Sequence, residues 1–292
     1  MRLFDLHCDT LYEMYIRDCG FEDNDLNISL RKADKFEKYA QVLAIWSQND
    51  LSEEERFEQF LRIYNIYKER IPDTFPHVLA VEGAGMLAGR IENLELIYNL
   101  GVRFLTLVWA GECSVGGAHD TDKGFSKFGF KVLQKCFDLG IIPDVSHASD
   151  KMFWQVREEA MKRGKPFVAT HSNSRSVYNH SRNLSDDMFV AVRDCGGVVG
   201  VSLEPTHTCT EDEPTEEDVC RHILHYIELG GENTVCLGCD LDGVTRNTKA
   251  IPDISYLPKI ADRLRSLGVA EDIIENIFFN NANNFIIRNI NL

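Results

Sequence analysis

A chain of 292 residues, 44% hydrophobic and 26% charged, has the composition of a globular protein with material for a large core. Its 46 acidic against 31 basic residues, a formal net charge of −15, argue against a nucleic-acid or anionic-membrane surface. No stretch approaches the roughly 18 apolar residues of a membrane span, residues 2–15 carry Asp5, Asp9 and Glu13 where a secretory leader would be apolar, and nine irregularly spaced cysteines fit reduced thiols in a cytoplasmic protein.

The first apolar run, "RLFDLH" at 2–7, leads straight into Cys8 and Asp9. Strict alternation puts Asp5, His7 and Asp9 on one face, which is costly to bury without a neutralising partner. A metal ion is one such partner; a solvated edge strand is the plainer reading of this fragment alone. Residues 17–38 are less regular and read as an insertion after the first strand. Further strand-like runs follow at 39–46, 77–82, 102–109, 141–147, 166–171, 197–204 and 234–240, eight in all. Several are apolar throughout, as buried parallel strands are.

Helical patterns lie between the runs. Residues 52–71 open on Ser52-Glu53-Glu54-Glu55, a capping box, and continue with Phe57, Phe60, Leu61, Tyr64, Tyr67 and Ile71 at helical spacing. Similar patterns span 89–99, 127–139, 150–163, 185–195 and 215–229, the last three with Ser149, Ser185 and Thr215 placed as N-caps. Helices near 256–267 and 271–287 close the chain. Cys236 and Cys239 match C-x-x-C, but no second pair accompanies them, and positions three apart on a strand face opposite sides, so a structural role is favoured. Alternation of this kind predicts an α/β fold: one domain over 1–292, a (β/α)₈ TIM-type barrel with C-terminal helices. An open doubly wound sheet is the alternative, but no G-x-G-x-x-G follows the first strand.

A barrel requires functional residues at the C-terminal ends of its strands. Metal-capable side chains do collect there: His7 and Asp9, Glu82, Asp144 and His147, His171, and Asp240 with Asp242. Each alone has a plain explanation, as a core histidine, a helix cap or an Asp-Gly turn. Five of eight strands ending this way points instead to one mouth lined by a mixed nitrogen and oxygen set, suited to Zn²⁺ or a similar divalent ion.

These residues fall in six ordered motifs, through which the chain resembles the membrane-dipeptidase (renal dipeptidase) family of zinc peptidases, among the amidohydrolase-like barrels. The motifs are Asp5-Leu6-His7-Cys8-Asp9, Glu82-Gly83, Gly124-Phe125-Ser126-Lys127-Phe128-Gly129, Asp144-Val145-Ser146-His147, "THSNSRSVYNHSRN" at 170–183 and Gly238-Cys239-Asp240-Leu241-Asp242-Gly243. The resemblance covers nearly the whole chain. It implies two zinc ions, one held by His7 and Asp9, the other by His147 and His171, with Glu82 bridging. It implies that Asp240 shuttles a proton from the attacking water to the leaving amine, and that Arg182 holds the substrate's terminal carboxylate. Two ions about 3.5–4 Å apart can activate a water and polarise the scissile carbonyl. The implied substrate is a small dipeptide with a free C-terminal carboxylate, D-residues at that position included, and a homodimer is in keeping with the family.

Neighbouring residues read as structural. Arg175 and His180 would anchor the loop, Asp5 and Asp144 would support the ligands or fill the barrel, and Asp242-Gly243 would shape a turn. His119, His207, His222 and His225 are expected on loops or helix surfaces. Two positions depart from the family pattern. Trp109 stands where the family carries a substrate-contacting histidine after the fourth strand, and it offers only an indole N–H and a large apolar face. "NNANNF" at 280–285 replaces a glycine-containing pattern in the closing helix. Trp109 therefore leaves open a related hydrolase acting on an N-acyl amino acid, a lactam or a lactone. A non-enzymatic, metal-containing binding or regulatory barrel is the further alternative.

Overall fold

A computed structural model describes residues 1–210, 213–245 and 249–290. Seven strands form one curled, all-parallel sheet: β1 (Arg2–Asp5), β2 (Lys38–Trp46), β3 (His77–Glu82), β4 (Val102–Thr106), β5 (Ile142–Asp144), β6 (Val199–Val201) and β7 (Val235–Leu237). Their order across the sheet is β5-β4-β3-β2-β1-β7-β6. The expected strand at 166–171 is not continuous. Val168 and Ala169 make single parallel bridges to Asp144 and Val199 instead. Val145 N–H donates to Val168 O (2.8 Å) and Ala169 N–H to Val198 O (3.1 Å), so this segment pairs with both edge strands.

The helices follow the sequence pattern closely. Ser52 caps Glu53–Arg70 through a full capping box, and Ser149 and Ser185 accept the N3 amides of Asp150–Arg163 and Asp186–Asp194. At Glu216–Glu228 the cap works in reverse, with the Thr215 N–H donating to the Asp218 carboxylate (2.8 Å). The expected helix at 271–287 is broken by a π turn, Asn276–Asn280, ahead of Asn281–Asn289. Among the described residues no helix is long and apolar enough to cross a membrane.

Alternation along the strands sorts the core into two clusters. Phe4, Val42, Ala44, Val78, Ala80, Phe104 and Ile142 belong to an inner cluster that Phe279, Phe285 and Ile286 of the closing helical segment complete. Leu3, Leu43, Ile45, Leu79, Val81 and Leu105 belong to the larger cluster shared with the surrounding helices. Register on β3 then puts Glu82 on the same face as Val78 and Ala80, at the carboxyl end of the strand.

Close strand approach demands glycine at two positions. A Cβ on either Gly200 or Gly238 would overlap the Thr170 carbonyl oxygen. Backbone lines both sides of that contact, so side-chain motion cannot relieve it. Gly238→Ala is expected to lower unfolding free energy by about 3 kcal/mol or prevent folding, measured by urea denaturation against wild type.

Candidate metal centre

β1 ends at Asp5, earlier than the sequence suggests, so Asp5, His7 and Asp9 do not share one strand face. Asp5 turns to a buried network, accepting from the Cys239 N–H (2.8 Å) and from Gln41 Nε2 (3.2 Å). His7 and Asp9 continue past the strand, where Asp240 N–H donates to His7 O and Asp9 N–H to Leu241 O (both 3.1 Å). This pairing of the two chain ends brings Asp240 beside His7.

The side chains at the strand ends do converge. Glu82 Oε1 lies 2.9 Å from His147 Nε2 and 3.3 Å from His171 Nε2. Its other oxygen, Oε2, lies 3.6 Å from His7 Nε2. Asp9 Oδ2 and Asp240 Oδ1 stand 3.6 and 3.8 Å from the same His7 nitrogen. His7, Glu82 and His171 form one group of converging ligand atoms, and His7, Asp9 and Asp240 a second.

Second nitrogens of the rings settle what faces the centre. His147 Nδ1 lies 2.8 Å from the Trp109 carbonyl oxygen, so it carries the proton there. His171 Nδ1 faces Thr170 Oγ1 (2.8 Å), whose hydroxyl donates to Asp144 Oδ2 (2.6 Å). In both neutral rings Nε2 is then a bare lone pair, yet the two Nε2 atoms lie only 2.9 Å apart and face a carboxylate. Three donors so placed repel one another unless a cation lies between them. Burial, with the Arg182 cation adding to it, brings His147 down to about 4, and burial together with His7 holds His171 well below the usual histidine range. Both rings are thus neutral at ordinary pH, the form in which imidazole can bind a metal.

His7 Nε2 and Asp9 Oδ1 are buried and have no hydrogen-bond partner among the described residues. With Glu82 and Asp240 also buried, three carboxylates lie close together, with the Arg182 cation lining the same cavity. Such a set is costly to bury unless cations neutralise it, and its nitrogen and oxygen donors suit a divalent transition metal. Burial raises Asp240 well above the usual carboxylate range against the pull of His7, and the Asp9 and Glu82 charges add to the rise.

Backbone strain marks the same residues. His147 (φ 68°), Asp240 (φ 61°) and Asp242 (φ 66°) occupy the left-handed region. Asp242 is held by the Asn27 N–H and the Thr10 hydroxyl (both 2.6 Å), which ties the 17–38 segment to the mouth. A Cβ on Gly243 would overlap Asp9 Oδ2, so this Asp-Gly pair makes room for Asp9 as well as turning the chain.

Arg182 is buried, with Nη2 donating to His171 O (3.4 Å) and Nη1 unpartnered among the described residues. Arg175 anchors the loop as expected, bidentate on Asp150 (2.9 Å each). The cavity over the centre measures about 430 Å³ and includes Trp109, Arg182, Glu82, His147 and Asp240. It also includes residues to which the sequence reading assigned nothing or only anchoring: His119, His180, Glu204 and His207. The signal for Glu204 was present, since it too ends an apolar run. His222 departs from its expected surface position; it is buried, accepting from Ser174 N–H (3.1 Å) and donating to Thr208 O (2.7 Å). His225 lies at the surface against Asp186 (2.8 Å).

Comparison with known proteins agrees with this geometry. Residues 64–288 match the family described as membrane dipeptidase (Peptidase family M19). An uncharacterised protein encoded in the pqqA 5′ region of Klebsiella pneumoniae is 32% identical over 254 residues, which is 82% of this chain and 92% of that protein. An uncharacterised dipeptidase of Schizosaccharomyces pombe is 31% identical over 201 residues, 66% of this chain; the aligned part spans about half that relative, 48%. In fold the chain is similar to a metallopeptidase from Rhodobacter sphaeroides solved with a phosphinate mimic of the dipeptide L-Ala-D-Ala (TM-score 0.86, 22% identity, 99% of each chain covered). With its histidine and carboxylate cluster at the strand ends and a family match over most of its length, the chain belongs to the membrane dipeptidase family, peptidase family M19, and is a zinc metallopeptidase.

Proposed function

We propose that the protein is a binuclear zinc dipeptidase that cleaves small dipeptides with a free C-terminal carboxylate, D-residues at that position included. The observation that carries this reading is the division of Glu82, with one oxygen toward His147 and His171 and the other toward His7. On it, His7 and Asp9 would hold one ion, His147 and His171 the other, and Glu82 would be shared between them. Bound zinc supplies Lewis acidity toward a water and toward the scissile carbonyl.

The remaining steps belong to the protein. The Asp240 carboxylate, beside His7, accepts the proton of the attacking water and delivers it to the departing amine. Arg182, with Nη1 unpartnered among the described residues, binds the terminal carboxylate in a two-pronged contact. Trp109 presents an apolar face to the substrate. Pairing of 168–169 with both β5 and β6 supports a closed eight-membered barrel, and nine irregularly spaced cysteines accord with a cytoplasmic protein.

Metal analysis of purified protein, with hydrolysis of dipeptides and of N-acyl amino acids, tests the reading. Near two zinc per chain is expected, with dipeptides turned over at least about 100-fold faster than N-acyl amino acids, and with Asp240→Asn retaining zinc while losing activity about 10²–10⁴-fold. Zinc that cannot be loaded, or N-acyl compounds as the better substrates, would sink it. Thr170→Val, which removes the hydroxyl linking His171 to Asp144, is expected to weaken zinc retention 10–100-fold in a chelator competition; unchanged retention would separate His171 from the metal.

A further inference from the structure

The two sides of the cavity differ in chemistry. Arg182, Glu204, His207 and His180 give the cavity a polar lining. In the sheet order β6, which leads into Glu204, is separated from β2 by β7 and β1, and the cavity residues beside β2 and β4 on that other side include aromatic rings. Trp46, the last residue of β2, and Trp109, just beyond β4, flank the strand that carries Glu82, with ring centroids 5.1 Å apart and planes inclined by 60°. Tyr12, on the helix Thr10–Arg17, meets Trp46 edge-on at 4.7 Å. All three rings line the cavity.

The buried Trp46 indole N–H has no acceptor among the described residues, so a hydrogen bond does not account for an indole there. Trp109 is positioned by its main chain, because its carbonyl takes the His147 ring N–H, and its ring stands 6.0 Å from the His147 ring. The aromatic surface therefore starts directly beside the reacting centre.

A dipeptide has one orientation compatible with both walls. Its carboxylate belongs on Arg182, its scissile carbonyl over Glu82 and the histidines, and its remaining part reaches the opposite side. Two residues extend only about 7 Å, so the amino-terminal side chain falls on the aromatic wall. We propose that Tyr12, Trp46 and Trp109 form the subsite for that side chain and select large apolar residues, aromatic ones foremost. The assignment rests on the dipeptidase reading, through the orientation set by Arg182. Glycine or alanine there would leave the rings facing water, whereas a benzyl group covers them. Burial of a side chain that size changes kcat/KM on the order of 10–100-fold.

The test compares Phe-Ala with Gly-Ala in steady-state hydrolysis. In parallel, calorimetry on zinc-loaded protein compares phosphinate dipeptide analogues with a benzyl or a methyl group on the amino-terminal side. Wild type is expected to favour the aromatic member about 10–100-fold in kcat/KM and in affinity, and Trp46→Ala to bring both ratios within about 3-fold of unity. Should Trp46→Ala fail to fold, Trp46→Leu and Trp109→Leu serve, each reducing the ratio. Equal values for the two side chains in wild type would overturn the subsite, as would a preference that survives both substitutions. Absence of turnover with every dipeptide would count against the dipeptidase reading, and the calorimetric ratio would still decide the subsite. Binding of neither analogue would overturn the subsite too.

Discussion

Everything at the mouth of this fold follows from one unfavourable juxtaposition. Asp9, Glu82 and Asp240 are buried around His7, with His147 and His171 turning unprotonated nitrogens toward the same space. In a low-dielectric interior, carboxylates and lone pairs this close repel strongly. The scaffold tolerates the conflict because the groups sit at or just past the carboxyl ends of parallel strands and of the bridged 168–169 segment, where backbone pairing fixes them. Cations resolve it, which is why the chemistry of a metallopeptidase and the electrostatic cost of the fold have the same origin.

Support for that arrangement lies one layer back. Asp144 accepts from the hydroxyls of Thr106 and Thr170 and from the amides of Ser146 and Thr170, all at 3.0 Å or less, so its position is determined from several directions. Through Thr170 it orients His171. Trp109 does the same for His147 with a backbone carbonyl, whatever its side chain does in the cavity. Left-handed backbone at His147, Asp240 and Asp242 is sterically costly, and it persists where neighbours determine the chain path from several sides. At Asp242 those neighbours come from the 17–38 segment through Asn27, which makes the apparent insertion part of the mouth.

The cavity joins two solvents of opposite character. Arg182 is buried, its cation held against desolvation by Asp240 and Glu82, and the neighbouring histidines are kept neutral by burial and by that same cation. Across from it, indole and phenol rings offer little to an ion pair and much to hydrocarbon. A ligand with one charged end and one apolar end finds a matching pair of walls, with the metal-capable cluster between them.

Most of the helices, seven of the eight strands, and the strand-end ligand candidates were legible in the sequence because they depend on local rules. Caps such as Ser52, Ser149 and Ser185, helical spacing, and apolar runs ending in His, Asp or Glu are short-range signals with direct physical causes. The shared face of Asp5, His7 and Asp9 was misread because strand alternation was carried past the point where β1 stops, and His222 because a polar residue on an amphipathic helix gives no sign of the buried acceptor waiting for it. His119 and His207 were given no role since a pocket wall is assembled from segments far apart in the chain, and no local pattern encodes which loops meet; Glu204 was passed over although it ends an apolar run. Residue chemistry thus came from the order of amino acids. The division of the Glu82 oxygens, the tautomers of His147 and His171 and the aromatic wall facing Arg182 were decided only by tertiary structure, because each depends on distances between residues that packing alone brings together.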